Sequence, residues 1–147
     1  MSGELTGEAV WQAAYQATDY RVELSEQSVV LRIGVAHPGF ASWLGQRRYD
    51  KFAIVTAYNP GSVLLAESDN QLRHGALLTA VRQRGIPFRF GENRADAGDW
   101  PPEPSVVLLG VPVDVACALG RQFAQNAIVI GEAAGVPRLL WIKEDGQ

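Results

Sequence analysis

Four polar clusters interrupt otherwise apolar stretches of the chain, and their residue types suit recognition of a small molecule. Thr56-Ala-Tyr58-Asn59-Pro60 closes a continuous apolar run, so a hydroxyl, a phenol and a carboxamide gather where a buried strand ends. Asn70 and Arg73 follow on the next helix. With Leu72 set at zero and about 100° per residue, Ala76, Ala80, Leu77 and Val81 fall between about 40 and 180°, the side taken as buried. Arg73 and Asn70 fall at about 100 and 160°, toward that flank. A guanidinium there needs a carboxylate, a set of carbonyls or an anionic ligand, because an unpaired buried charge is costly. Trp100-Pro-Pro-Glu103 offers a stacking wall beside a carboxylate, and Gln125-Asn126 sits where a helix meets an apolar strand. Carboxamides in such places read the hydrogen-bonding edges of sugars, bases or amino acids.

Bond-breaking chemistry has weaker support. Glu103 is the first candidate for a general base, with an Arg-paired or solvated carboxylate as its alternative role. No Ser-His-Asp order, Cys-His pair, phosphate-binding glycine loop or dinucleotide fingerprint occurs. Cys117 lies mid-helix between alanines and reads as a packing residue. With one cysteine and two histidines, His37 and His74, neither a metal centre nor a cofactor is expected, and His74 reads as exposed.

The elements that must position these residues follow from periodicity. Residues 8–17 read as a helix with strand character near Tyr20, and Ser28 to Gly34 as a strand. His37-Pro38 opens a helix running to about Arg47. Residues 52–57, 106–111 and 127–131 are apolar runs of strand length. A capping box, Ser68 with Gln71, starts a helix that stops at Gly85. Pro87 to Phe90 reads as a short strand, and residues 91–104, with two glycines and three prolines, as the longest loop. Residues 113–125 read as a helix and 138–142 as an edge strand. The expected fold is α/β (or α+β): a single mixed sheet of about five strands partly covered by three to four helices, with residues 52–57 and 106–111 central. Ligands of such folds bind beyond the carboxyl ends of the strands.

Composition bounds the setting. The 147 residues are 47% hydrophobic and 20% charged, which suits one folded domain over residues 1–147, with 1–7 outside the folded part and 143–147 a frayed tail. No apolar run approaches the ~20 residues that span a bilayer, so no membrane partner is expected. The first residues lack a basic flank and an apolar run, and a single cysteine suits a reducing compartment, so a cytoplasmic location is expected. The net charge of −3 argues against nucleic acid as partner, although residues 47–94 carry eight basic and four acidic side chains between acidic ends. Nothing in the sequence fixes an oligomeric state.

At the four clusters the chain resembles a bacterial family known as domain of unknown function 3293. The resemblance rests on Thr56 to Pro60, on Asn70 and Arg73, on Trp100, Glu103 and Ser105, and on Leu119 to Ala127, and it spans roughly Tyr15 to Leu140. It implies no activity. Two readings therefore stand. In the first, Thr56, Tyr58, Asn59, Asn70, Arg73, Trp100, Gln125 and Asn126 line a pocket for a small anionic or nucleotide-like ligand. In the second, the same residues are structural and the protein is a protein–protein interaction module.

Overall fold

The computed structural model describes residues 7–142. The elements are α1 (Gly7–Gln16), β1 (Thr18–Glu23), β2 (Ser28–Leu31), α2 (Pro38–Gln46), β3 (Lys51–Val55), a 3-10 turn (Pro60–Ser62), α3 (Glu67–Gln83), β4 (Phe88–Ala95), β5 (Glu103–Leu109), α4 (Val113–Gln122), β6 (Ala127–Glu132) and β7 (Arg138–Trp141). All seven strands form one sheet in the order β2-β1-β4-β5-β3-β6-β7, and every neighbouring pair is antiparallel. The expected central segments, β3 and β5, do pair in its middle, and the last strand lies on an edge. The tails expected at residues 1–6 and 143–147 lie outside the described residues, while Gly7 already begins α1.

Two expectations about the sheet are corrected. It has seven strands instead of about five, and it is antiparallel instead of mixed. The sequence signals β4 only over its first half: it runs Phe-Arg-Phe-Gly-Glu-Asn-Arg-Ala, a partly exposed segment without an apolar run. Its second half, assigned to a loop by its glycine and charges, is held on both sides by β1 and β5, which leaves residues 96–102 as the connection.

Strand alternation sends side chains to two cores. On one face Ala53, Val55, Val106, Leu108, Ile128 and Ile130 pack beneath α3 and α4. On the other, Phe52, Ile54, Val107, Leu109 and Val129 meet Phe40, Trp43 and Leu44 of α2. Here His37 caps α2, its Nδ1 accepting from the Phe40 amide at 2.9 Å, with Pro38 in the first turn as the sequence suggests.

Helix α3 starts one residue before the expected capping box. Its N-cap is Ala66, which makes no side-chain cap, and Ser68 is exposed. Glu67 and Asp69 supply negative charge to the first turn instead. The buried stripe is Asn70, Leu77 and Val81, whereas Leu72, the reference of the helical projection, is 75% exposed. The stripe is thus centred near 150° on that projection, which leaves Asn70 inside it and Arg73 at its margin.

Two glycines of similar appearance have opposite meanings. A Cβ on Gly91 would stand 2.7 Å from both the Arg21 carbonyl oxygen and Ser105 Oγ, in a strand interior that cannot give way. On Gly75, exposed within α3, it would meet nothing within 4 Å. Gly91→Ala should therefore cost about 1–3 kcal/mol in chemical denaturation. Gly75→Ala should add about 0.5–1 kcal/mol, since the helix loses a residue of high backbone entropy.

Candidate functional site

The end of β3 sets the site. Val55 is the last ladder residue, and the next four residues turn under the control of their own side chains. Thr56 Oγ1 donates to the Pro104 carbonyl at 2.8 Å and accepts from the Tyr58 amide at 3.1 Å. Asn59 adopts a left-handed conformation, φ 49° and ψ 65°, rather than the extended geometry that usually precedes proline. Asparagine tolerates that region, and here both of its side-chain groups are fixed. Asn59 Oδ1 accepts from the Leu65 amide at 2.9 Å and from Asn70 Nδ2 at 2.8 Å. Asn70 Oδ1 in turn accepts from the Asn59 amide at 2.8 Å. This reciprocal pair, with both residues buried, ties β3 to the first turn of α3.

Asn59 Nδ2 reaches across to β5 and donates to Glu103 Oε2 at 2.8 Å. Trp100 Nε1 donates to the same oxygen at 2.7 Å. Among the described residues no donor reaches Oε1. Burial pushes the Glu103 carboxyl above the usual range, while the bonds from Trp100 and Asn59 hold it down in part. Glu103 is also part of a polar row: register sets Tyr20 opposite Asn93, and Asn93 opposite Glu103, across β1, β4 and β5. Asn93 Oδ1 is buried and accepts no hydrogen bond.

These residues border a cavity of about 300 Å³ between the sheet and α1. Its floor includes Tyr20, Ile54, Asn93, Glu103 and Val129, its cover includes Trp11, Ala14 and Tyr15 of α1, and Asp99 and Trp100 come from the 96–102 connection. The location differs in one respect from the expected one. The cavity lies beyond the carboxyl end of β3 but at the amino ends of β5 and β6, because its neighbours run antiparallel.

The residues singled out in the sequence separate into two groups. Thr56, Tyr58, Asn59, Trp100 and Gln125 line the cavity, as does Glu103. Asn70, Arg73 and Asn126 do not. Arg73 Nε donates to the Ala57 carbonyl at 2.8 Å and its terminal nitrogen to the Phe123 carbonyl, with the guanidinium 5.9 Å from the Phe123 ring. It is the set of carbonyls, among the three partners its position allowed, that the chain supplies. Gln125 Nε2 donates to the Tyr58 carbonyl at 3.1 Å, and Asn126 Nδ2 to Ser62 Oγ at 2.9 Å, so both brace the turn after β3.

Tyr58 donates to Glu67 Oε2 at 2.9 Å, and burial together with that carboxylate pushes its phenol up to about 12. His74 is half-buried edge-on to Tyr58, not exposed, and desolvation lowers its pKa. The aromatic residues Trp11, Tyr15 and Tyr20 were missed as cavity residues. Their only signal was an N-terminal helix with apolar residues on a face that no core claims. Among the described residues no group of three His, Cys, Asp or Glu could hold a metal, and no helix is long and apolar enough to cross a membrane.

Two outcomes test this geometry. Asn70→Ala leaves the Asn59 amide without its acceptor and Asn59 Oδ1 without one of its donors, so stability should fall by about 2–3 kcal/mol in urea denaturation. Glu103→Gln retains an acceptor for Asn59 and Trp100 but removes the buried charge. A carboxyl whose pKa is raised on folding binds its proton more tightly in the native state, so its penalty is absent in acid and grows as pH rises through the unfolded and then the folded pKa. The variant should therefore melt a few degrees above the parent at neutral pH, with the gap closing on acidification.

Comparison with family models places a match over residues 55–128, half of the chain, with the family described as Protein of unknown function (DUF3293). The matched segment includes Asn59, Asn70, Arg73, Trp100, Glu103 and Gln125, whereas the aromatic cover from α1 and β1 lies outside it. No curated protein and no solved structure matches the chain. The chain belongs to the DUF3293 family, and the polar wall built around Asn59 and Glu103 falls within the part that defines its membership.

Proposed function

We propose that this domain binds a small organic molecule in the cavity beneath α1, with Glu103 as the central polar contact. The observation that carries the reading is the division of labour within that carboxylate: Oε2 is held by Asn59 and Trp100, and Oε1 has no described donor. A pocket of about 300 Å³ lies at the small end of ligand sites, which run from ~300 to ~1,000 Å³. Apolar and aromatic walls with a few fixed polar groups are the usual composition of such sites.

The lining also changes the class of ligand. An anionic partner was expected from Arg73, but Arg73 does not line the cavity, and no lysine, arginine or histidine does among the described residues. The charged groups of the lining are both acidic, Glu103 and Asp99. A ligand with hydrogen-bond donors on a flat or apolar body fits these walls. Binding without turnover is the economical form of the reading. A cytosolic setting belongs to it as well, supported by one unpaired cysteine, Cys117.

A thermal-shift screen of small metabolites tests the proposal, because a molecule that binds only the folded state raises the melting temperature. Hits are expected among neutral and basic compounds rather than phosphates and carboxylates. Ala14→Phe, which projects a ring from α1 into the cavity, should abolish those shifts while leaving the unliganded melting temperature within a few degrees. Shifts that persist in Ala14→Phe would locate binding elsewhere.

A further inference from the structure

We propose that the ligand carries an organic ammonium group, seated against Glu103 Oε1 and walled by aromatic rings. The inference rests on the binding-cavity reading and sharpens it from hydrogen-bond donor to cation. Its first support is that Glu103 has no cationic partner among the described residues. The ion pairs they form are Arg32 with Asp19 and Asp96, and Arg94 with Glu92. Arg73, whose guanidinium lies against the turn after β3, is committed to two backbone carbonyls. A carboxylate withdrawn from water without a counter-charge is an expensive arrangement, and a cationic ligand would remove that cost on binding.

Second, no cationic side chain lines the walls among the described residues, while two carboxylates, Glu103 and Asp99, do. Asn93 Oδ1, directly across the β4–β5 ladder from Glu103, is buried and lacks a donor. The indole N–H of Trp100 and the Asn59 amide, two donors that could have served an anion, are both turned onto Glu103 Oε2. An ammonium would meet Glu103 with opposite charge and N–H donors, whereas a carboxylate or phosphate would meet it with like charge.

Third, Trp11, Tyr15, Tyr20, Tyr58 and Trp100 all contribute to the lining. The faces of such rings attract cations, and aromatic enclosures with an acidic residue are a general solution for ammonium recognition. Tyr20 cannot offer its proton to a ligand, since its hydroxyl donates to the Tyr15 carbonyl at 3.0 Å.

Three probes of similar shape and different charge decide the matter: phenethylamine, protonated at neutral pH, 2-phenylethanol and phenylacetate. Each is titrated at millimolar concentration into the ¹⁵N-labelled full chain, with amide shifts at Asn59, Asn93, Glu103 and Gln125 as the readout. Phenethylamine should bind at least ten-fold more tightly than the alcohol, the size expected for one charge-assisted hydrogen bond, and phenylacetate should be weaker than either. Glu103→Gln should weaken the amine about ten-fold and leave the alcohol within two-fold. Equal binding of amine and alcohol, or preference for phenylacetate, overturns the ammonium while the cavity reading stands. Silence of those four amides with all three probes overturns both. Should Glu103→Gln fold poorly, the selectivity of the unmodified chain decides alone.

Discussion

The reciprocal bonds between Asn59 and Asn70 hold the rest of the site in place. Each side chain satisfies a group of the other residue that the fold has withdrawn from water, and a buried amide left alone would cost more than the bond itself contributes. Because Asn59 is thereby locked in a left-handed conformation, its remaining N–H points at β5 and fixes Glu103. Glu103 then fixes Trp100. One pair of carboxamides thus aligns the end of β3, the start of α3, the start of β5 and the 96–102 connection. Any displacement of one is felt by the others through groups that have no alternative partner.

Around that anchor the antiparallel sheet divides its faces unequally. Helices α3 and α4 cover β3, β5 and β6 on one side, where both layers are apolar and closely packed. On the other side α2 covers one half of the face, and its Phe40 and Trp43 meet Phe52 and Val107. The other half lies under α1, and there the strands present Tyr20, Asn93, Glu103 and Thr56 in place of aliphatic residues. Polar residues on an inward face do not interdigitate as branched aliphatics do. The space that remains between α1 and the sheet is a direct consequence of that change in side-chain type, with Gly91 next to it, where only a bare backbone fits against Arg21 and Ser105.

How far the sequence disclosed this arrangement depended on the kind of signal each residue carried. Continuous apolar runs are strong evidence, and β3, β5 and β6 were legible for that reason. Strand β4 was legible only over its first residues, Phe88 to Phe90, because a glycine and charges follow; only pairing with β1 and β5 carries it on to Ala95. Asn59, Trp100 and Glu103 were legible as polar groups in apolar places. That Asn59 bonds both Asn70 and Glu103 was not, since helical projection gives a direction and no distance. Arg73 shows the limit most clearly. Its partial burial and its need for a partner followed from periodicity, but backbone carbonyls leave no mark in a sequence, so an anion seemed equally suited. The aromatic cover failed for the opposite reason: Trp11 and Tyr15 resemble ordinary packing residues until the sheet opposite them proves to be polar.

The same accounting bears on why Glu103 is a glutamate. Its two known tasks, accepting a hydrogen bond from Asn59 and one from Trp100, need one acceptor oxygen, and a glutamine would provide it without burying charge. The carboxylate is therefore the less stable choice for scaffolding alone. What it adds is a second acceptor, with negative charge, at an oxygen that no donor reaches among the described residues. Charges that cost stability and that the scaffold does not need are where a fold often meets something outside itself. By that measure the amide pair belongs to the architecture, as does Arg73, while the charge on Glu103 is the one feature of the cluster that scaffolding does not require.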